Sequence, residues 1–179
     1  VFLTQRNLPK LAAFSLFIND QFLIVLNKIT QSKICIPFLP KSGIKILVKV
    51  WDDELMAEIV DKDISRWFSQ QLGQKVNLVY QSEDSIRKID NNYAINGEEH
   101  TSFSDGYPIL IISEASLEEL NSKCPEKIPM ERFRPNMVIK NCDAFFEDSL
   151  KEIKIGYARL HGVKPCARCI MTTINQETF

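Results

Sequence analysis

Residues 11–60 read LAAFSLFIND QFLIVLNKIT QSKICIPFLP KSGIKILVKV WDDELMAEIV. Five short apolar runs stand in this stretch, at residues 11–18, 22–26, 33–38, 44–51 and 55–60, as a set rich in β-branched side chains. Turn formers separate them: Asn19-Asp20, the segment 37–43 with its prolines and Gly43, and Asp52-Asp53. Runs of this length punctuated this way predict strands joined by tight turns, a β-meander.

Further along, residues 63–72 change period. Ile64, Trp67, Phe68 and Leu72 fall at i, i+3, i+4 and i+8, after an acidic start and before Gly73, so one amphipathic helix is expected to close this half. Residues 76–80 return to strand. Residues 81–101 are polar, carry Asn91-Asn92 and Asn96-Gly97-Glu98-Glu99 and show no period, which marks a linker or long loop. Beyond it, 109–112 reads as a buried strand. Ser113-Glu114-Ala115-Ser116-Leu117 then opens a second helix with an N-cap and acidic residues in its first turns. Residues 137–139, 153–155, 158–162 and 169–174 read as strands.

The expected fold class is therefore mainly β (α+β), with two β-rich, barrel-like domains and a few short amphipathic helices. The first domain is expected over 1–80, a linker over 81–102 and the second domain over 103–179. The chain opens without Met in a strand-like run and stops at Phe179 directly after another, so both domains are expected to be truncated at their outer ends.

Composition excludes several classes. Hydrophobic residues at 45% and charged residues at 25% are the balance of a folded globular chain. With 22 Lys and Arg against 23 Asp and Glu, no overall positive field exists to hold a nucleic-acid polymer or an anionic membrane. No apolar run approaches the roughly 20 residues of a membrane helix. Five cysteines at positions 35, 124, 142, 166 and 169 do not form the even framework of a disulfide scaffold, which predicts reduced thiols and a cytoplasmic setting.

Three clusters hold groups capable of chemistry. In Lys164-Pro165-Cys166-Ala167-Arg168-Cys169 the neighbouring cations favour a thiolate, a soft metal ligand. The spacing alone also suits half a zinc site, a redox pair or an inert buried pair, and no second C-x-x-C or paired histidine follows. In Arg132-Phe133-Arg134-Pro135-Asn136, a strand would put Arg134 and Asn136 on one face as half of an anion pocket; the alternative is an Arg paired with a nearby acid. In Phe103-Ser104-Asp105-Gly106-Tyr107-Pro108, an acid and a phenol sit in a turn entering a strand, a place for binding groups or simply a packed turn. No glycine-rich nucleotide loop is present.

The clusters, in this order and spacing, resemble the MOSC family. The turn 103–108 continues through Leu110-Ile111-Ile112-Ser113-Glu114-Ala115-Ser116-Leu117. Met130-Glu131-Arg132-Phe133-Arg134-Pro135-Asn136, Glu147-Asp148, Ile155-Gly156 and the run from Lys164 to Thr173 follow as in that family. The first part, from Phe2-Leu3-Thr4-Gln5-Arg6 through Trp67-Phe68-Ser69 and Leu72-Gly73 to Val79-Tyr80, is similar to the β-barrel domain that precedes MOSC in the amidoxime-reducing component and its bacterial relatives.

The resemblance implies a molybdenum–pterin cofactor (Mo-molybdopterin) and reduction of small N-hydroxylated substrates at the N–O bond. Electrons would come from a separate flavin, haem or iron–sulfur protein. It places Cys169 as molybdenum ligand and catalytic residue, Arg134 and Asn136 on the cofactor, and Asp105 and Tyr107 beside it. A pyridoxal phosphate label also attaches at family level. The alternative it leaves is a non-catalytic cofactor- or sulfur-carrier module. The chain departs from the family at Leu150, where Trp is common, and at Phe179, where Gly is usual. The family's Lys-Ser and Asp-Arg pairs, which hold the pterin phosphate, would fall before Val1.

Overall fold

The computed structural model describes residues 2–40 and 42–178; Phe179 lies outside the described residues. The chain is mainly β with two short α-helices, the class expected, and the described strands form open sheets of two or three strands. Two compact units divide it. The first takes in the chain up to Lys88, His100–Phe103 and the stretch from Ile174; the second is Ile89–Glu99 with Ser104–Thr173.

In the first unit the meander is present as β1 (Phe14–Ile18), β2 (Phe22–Asn27) and β3 (Lys33–Pro37), antiparallel in that order. Asn19 makes the first turn possible, its Oδ1 accepting the N–H of Gln21 at 2.9 Å and of Phe22 at 2.8 Å. A second antiparallel sheet joins β4 (Lys45–Val50), β5 (Asp53–Ile59) and β6 (Val79–Tyr80). The register pairs Val50 with Asp53, so Trp51 and Asp52 form the hairpin tip, with Trp51 at φ +56°. Residues 11–13, expected as the start of a strand, belong instead to the 3-10 turn Pro9–Ala13, because Pro9 suits a helical first position and has no N–H for a ladder.

Helix α1 (Lys62–Leu72) covers this unit's core. Asp61 caps it, accepting the N–H of Asp63 at 2.6 Å and Ile64 at 3.1 Å, and Gly73 ends it in the left-handed conformation at φ +70°. Its apolar face adds Ile64 to Val25, Ile36 and Val60, with Phe14, Trp67 and Phe68 packed against them. Removing the cap in Asp61→Ala is expected to cost about 1 kcal/mol, read as an earlier denaturation midpoint of Trp67 fluorescence with the slope unchanged.

Residues 81–102, expected as a linker, contain the short pair β7 (Arg87–Lys88) and β8 (His100–Thr101) and are shared between the units. Arg87 is 7% exposed and donates to Asp53 Oδ2 at 2.6 Å and to the Ser102 carbonyl at 3.1 Å.

In the second unit β9 (Ile111–Ser113) runs parallel to β10 (Met137–Ile139), and α2 (Glu114–Ser122) follows β9 directly. The hairpin β11 (Glu152–Ile155) and β12 (Ala158–His161) completes it. Residues 170–173, expected as strand, are a 3-10 turn. There the Thr172 and Thr173 hydroxyls donate to the carbonyls of Cys169 and Ile170, holding the chain in a local turn.

Candidate functional site

The second unit brings the three clusters together through their neighbours. The Arg132 guanidinium donates to the carbonyls of Thr172 at 3.3 Å and Thr173 at 2.7 Å, clasping the turn Met130–Arg132 to the turn Ile170–Thr173. Beside that clasp the Arg168 guanidinium lies 5.4 Å from the centre of the Phe133 ring. The segments holding Arg134 and Cys169, 35 positions apart, are thus fixed against each other by two charge-assisted hydrogen bonds and a cation–π contact.

Cys169 sits immediately before the 3-10 turn with its side chain exposed, and Cys166 is exposed as well. None of the five cysteines is in a disulfide among the described residues. Nor does any group of three or more His, Cys, Asp and Glu among the described residues come together in a way that could hold a metal ion.

Arg134 and Asn136 do not share the face of a strand, as their spacing suggested. Arg134 adopts φ +52°, before Pro135, and β10 begins only at Met137. A non-glycine residue there is strained, on the order of 1 kcal/mol, and its turn is closed by the Arg134 N–H on the Glu131 carbonyl at 3.2 Å. Asn136 is held from both ends. Its Oδ1 accepts the Leu110 N–H at 2.9 Å while its own N–H donates to the Leu110 carbonyl at 2.9 Å. This locks the carboxamide beside the strand that follows the 103–108 turn and leaves Nδ2 as a donor for a ligand. Among the described residues Arg134 makes no ion pair, contrary to the alternative of an acid-paired arginine.

Asp105 is exposed and Tyr107 half-buried. The Tyr107 ring meets Tyr93 edge-on, with centres 5.9 Å apart and planes at 88°. Burial, followed by the negative charge of Asp90 and the neighbouring Tyr93, pushes the Tyr107 phenol above its ordinary range, so it stays a hydrogen-bond donor near neutral pH. On the Tyr93 ring rests the Lys164 ammonium, 4.8 Å from the centre. Sequence reasoning misses Tyr93, whose one signal is to be a lone aromatic in the polar stretch 81–102.

The second unit also contains a buried polar network. Ser113, fully buried, caps α2 by accepting the Ser116 N–H at 3.0 Å, and its own N–H donates to Glu147 Oε1 at 2.9 Å. The Ser116 hydroxyl in turn accepts the Phe145 N–H at 2.7 Å. Burial raises the Glu147 carboxyl, but the donors from the Ser113 backbone and the Ser116 hydroxyl outweigh it and hold it below its ordinary value of 4.5. A lowered folded value means stability present above the ordinary value and lost as pH falls through the folded one. Glu147→Gln is therefore expected to lower stability near pH 7 and to flatten the acid limb of a stability–pH curve measured by urea denaturation.

A family model described as the MOSC domain matches residues 98–178. Mitochondrial amidoxime-reducing component 1 of Mus musculus is 30% identical over 179 residues, covering 98% of this chain and 52% of the mouse protein. Mitochondrial amidoxime reducing component 2 of Macaca fascicularis is 28% identical over 185 residues, with 98% and 53% covered. Component 1 of Homo sapiens is 46% identical over 81 residues, which are 45% of this chain and 24% of that protein. The chain spans about half the length of most of the curated relatives it matches. By this near-full-length likeness and the matched domain at residues 98–178, the chain belongs to the MOSC-domain family.

Proposed function

We propose that this protein binds a molybdenum–pterin cofactor with Cys169 as the metal ligand and reduces small N-hydroxylated compounds with electrons from a separate protein. The observation that carries the reading is the clasp of Arg132 on Thr172 and Thr173, which holds the segment that follows an exposed thiol against the turn that precedes Arg134 and Asn136. The donor set suits the group: a soft anionic sulfur for molybdenum, and a cation and amide for pterin and phosphate oxygens. When bound, the cofactor would supply the two-electron redox centre for taking oxygen from nitrogen.

The chain's own residues do the rest. Arg134 would bind anionic oxygens, Asn136 would orient the pterin through Nδ2, and Asp105 and Tyr107 would stand beside it, where the protonated phenol can donate. The irregular spacing of the five cysteines is the basis for proposing reduced thiols and a cytoplasmic setting. No helix among the described residues is long and apolar enough to cross a membrane.

The reaction consumes two electrons and two protons per N–OH and releases water. Holoprotein given a reduced artificial donor is expected to turn over an amidoxime; loaded protein that does not would instead be a carrier of the cofactor. Arg134→Ala is expected to weaken cofactor retention by one to two orders of magnitude, about 1.5–3 kcal/mol for a charge-assisted contact, measured as pterin released on dilution.

A further inference from the structure

We propose that Tyr93 is a positioning residue, holding the Lys164 ammonium as an anion-facing wall of the cofactor site; this rests on the cofactor reading above. The ligand group concerned is a phosphate or similar oxyanion carried by the bound cofactor.

Tyr93 stands on a closed loop. Ile89 donates to the Glu99 carbonyl at 3.2 Å at its base, and the Tyr93 N–H donates to the Asp90 carbonyl at 2.9 Å. The Asp90 side chain accepts the Asn92 N–H at 2.9 Å, and Glu99 Oε1 accepts the N–H groups of Ile95 at 3.1 Å and Asn96 at 2.8 Å. The Asn96 N–H, with further backbone donors, keeps the Glu99 carboxyl below its ordinary range, so at neutral pH this end of the loop is pinned by an ionised carboxylate. Its polar composition therefore builds an ordered support for one aromatic ring.

That ring bridges two segments assigned to the cofactor. Tyr107, in the 103–108 turn, meets it at 5.9 Å, and Lys164, five positions before Cys169, places its ammonium 4.8 Å from its centre. A lysine on an exposed chain otherwise samples many rotamers; resting on a π face fixes where its charge lies before a ligand arrives. Lys164 forms no ion pair among the described residues. Of the other cations of these clusters, Arg168 rests on Phe133 and Arg132 on the carbonyls of Thr172 and Thr173, whereas Lys164 rests on the Tyr93 ring.

The test is cofactor retention in holoprotein made in cells competent for the cofactor. Pterin is read by fluorescence of its oxidation product after gel filtration, and molybdenum by metal analysis. Lys164→Gln and Tyr93→Leu are each expected to retain at least fivefold less pterin at limiting dilution. Tyr93→Phe, which keeps the π face, should stay within twofold of wild type. The double variant Tyr93→Leu/Lys164→Gln should be no worse than Lys164→Gln alone, since the ring acts through the lysine.

Additive losses, a Tyr93→Phe variant as weak as Tyr93→Leu, or full retention in Lys164→Gln would each overturn the proposal. If Tyr93→Leu does not fold, Lys164→Gln together with rescue by Lys164→Arg decides it. Two controls separate the readings: molybdenum retained in Cys169→Ala defeats the assignment of Cys169 as metal ligand, and wild-type protein that carries neither pterin nor molybdenum defeats the cofactor reading itself. Molybdenum lost in Cys169→Ala but pterin undisturbed in the Tyr93 and Lys164 variants defeats this proposal alone.

Discussion

Replacing Cys169 by alanine is expected to yield a folded protein that carries no molybdenum. The side chain is exposed and outside any disulfide, so its removal deletes no core packing, and stability should stay within about 0.5 kcal/mol of wild type. On the proposed reading the metal, by contrast, would lose its soft anionic protein ligand. Cys166→Ala is the matched control, three residues away, equally exposed and close to the same Arg168; it should keep stoichiometric molybdenum. Cys169→Ser should fall between, because a hydroxyl is a harder and far less acidic donor than a thiol. Pterin held, as proposed, by Arg134 and Asn136 would persist in Cys169→Ala without metal, so metal and pterin are measured separately. Molybdenum retained in Cys169→Ala at wild-type stoichiometry would falsify the ligand assignment.

Hydrophobic period and local capping are written in neighbouring residues, so β2, β3 and α1 are legible in the sequence from Phe22 onward, down to the helical stop at Gly73. Residues 169–174 are not, since Ile and Thr favour strand locally but a strand needs a partner. The carbonyls of Thr172 and Thr173 are taken by Arg132, about 40 positions upstream. Arg134 is a similar case. Strand geometry is the economical guess for an Arg-Pro-Asn run, whereas its left-handed backbone comes from a turn closed on Glu131. Tyr93 is illegible for a third reason: polar loops carry no period, and the contacts that order its ring involve Tyr107 and Lys164, both distant in sequence. The residue types of the site are visible in the sequence; the contacts that gather them are tertiary.

Gly162→Ala is expected to cost about 3 kcal/mol, the upper part of the range for forcing atoms into a filled space, and to reduce molybdenum loading as well. A Cβ at Gly162 would overlap the Leu150 carbonyl oxygen and stand 3.0 Å from its carbon. The obstacle is backbone, which no rotamer change can move aside. Gly162 also donates to the Lys151 carbonyl at 3.0 Å, so separating the chains far enough for a methyl group would break the bond that closes the base of the β11–β12 hairpin. The strain would travel directly along the chain, because Lys164 follows two residues later and Cys169 five beyond that. Gly156, at the tip of the same hairpin, isolates the steric part. It has φ +57° and nothing within 4 Å of an added Cβ, so Gly156→Ala should cost only the left-handed backbone strain, about 1 kcal/mol, and leave metal loading intact. Chemical denaturation of the pair, with molybdenum measured on the same preparations, checks both statements. Equal destabilisation of the two variants, or Gly162→Ala with wild-type stability, would show that the close approach to Leu150 does not govern how the hairpin delivers Cys169 to the site.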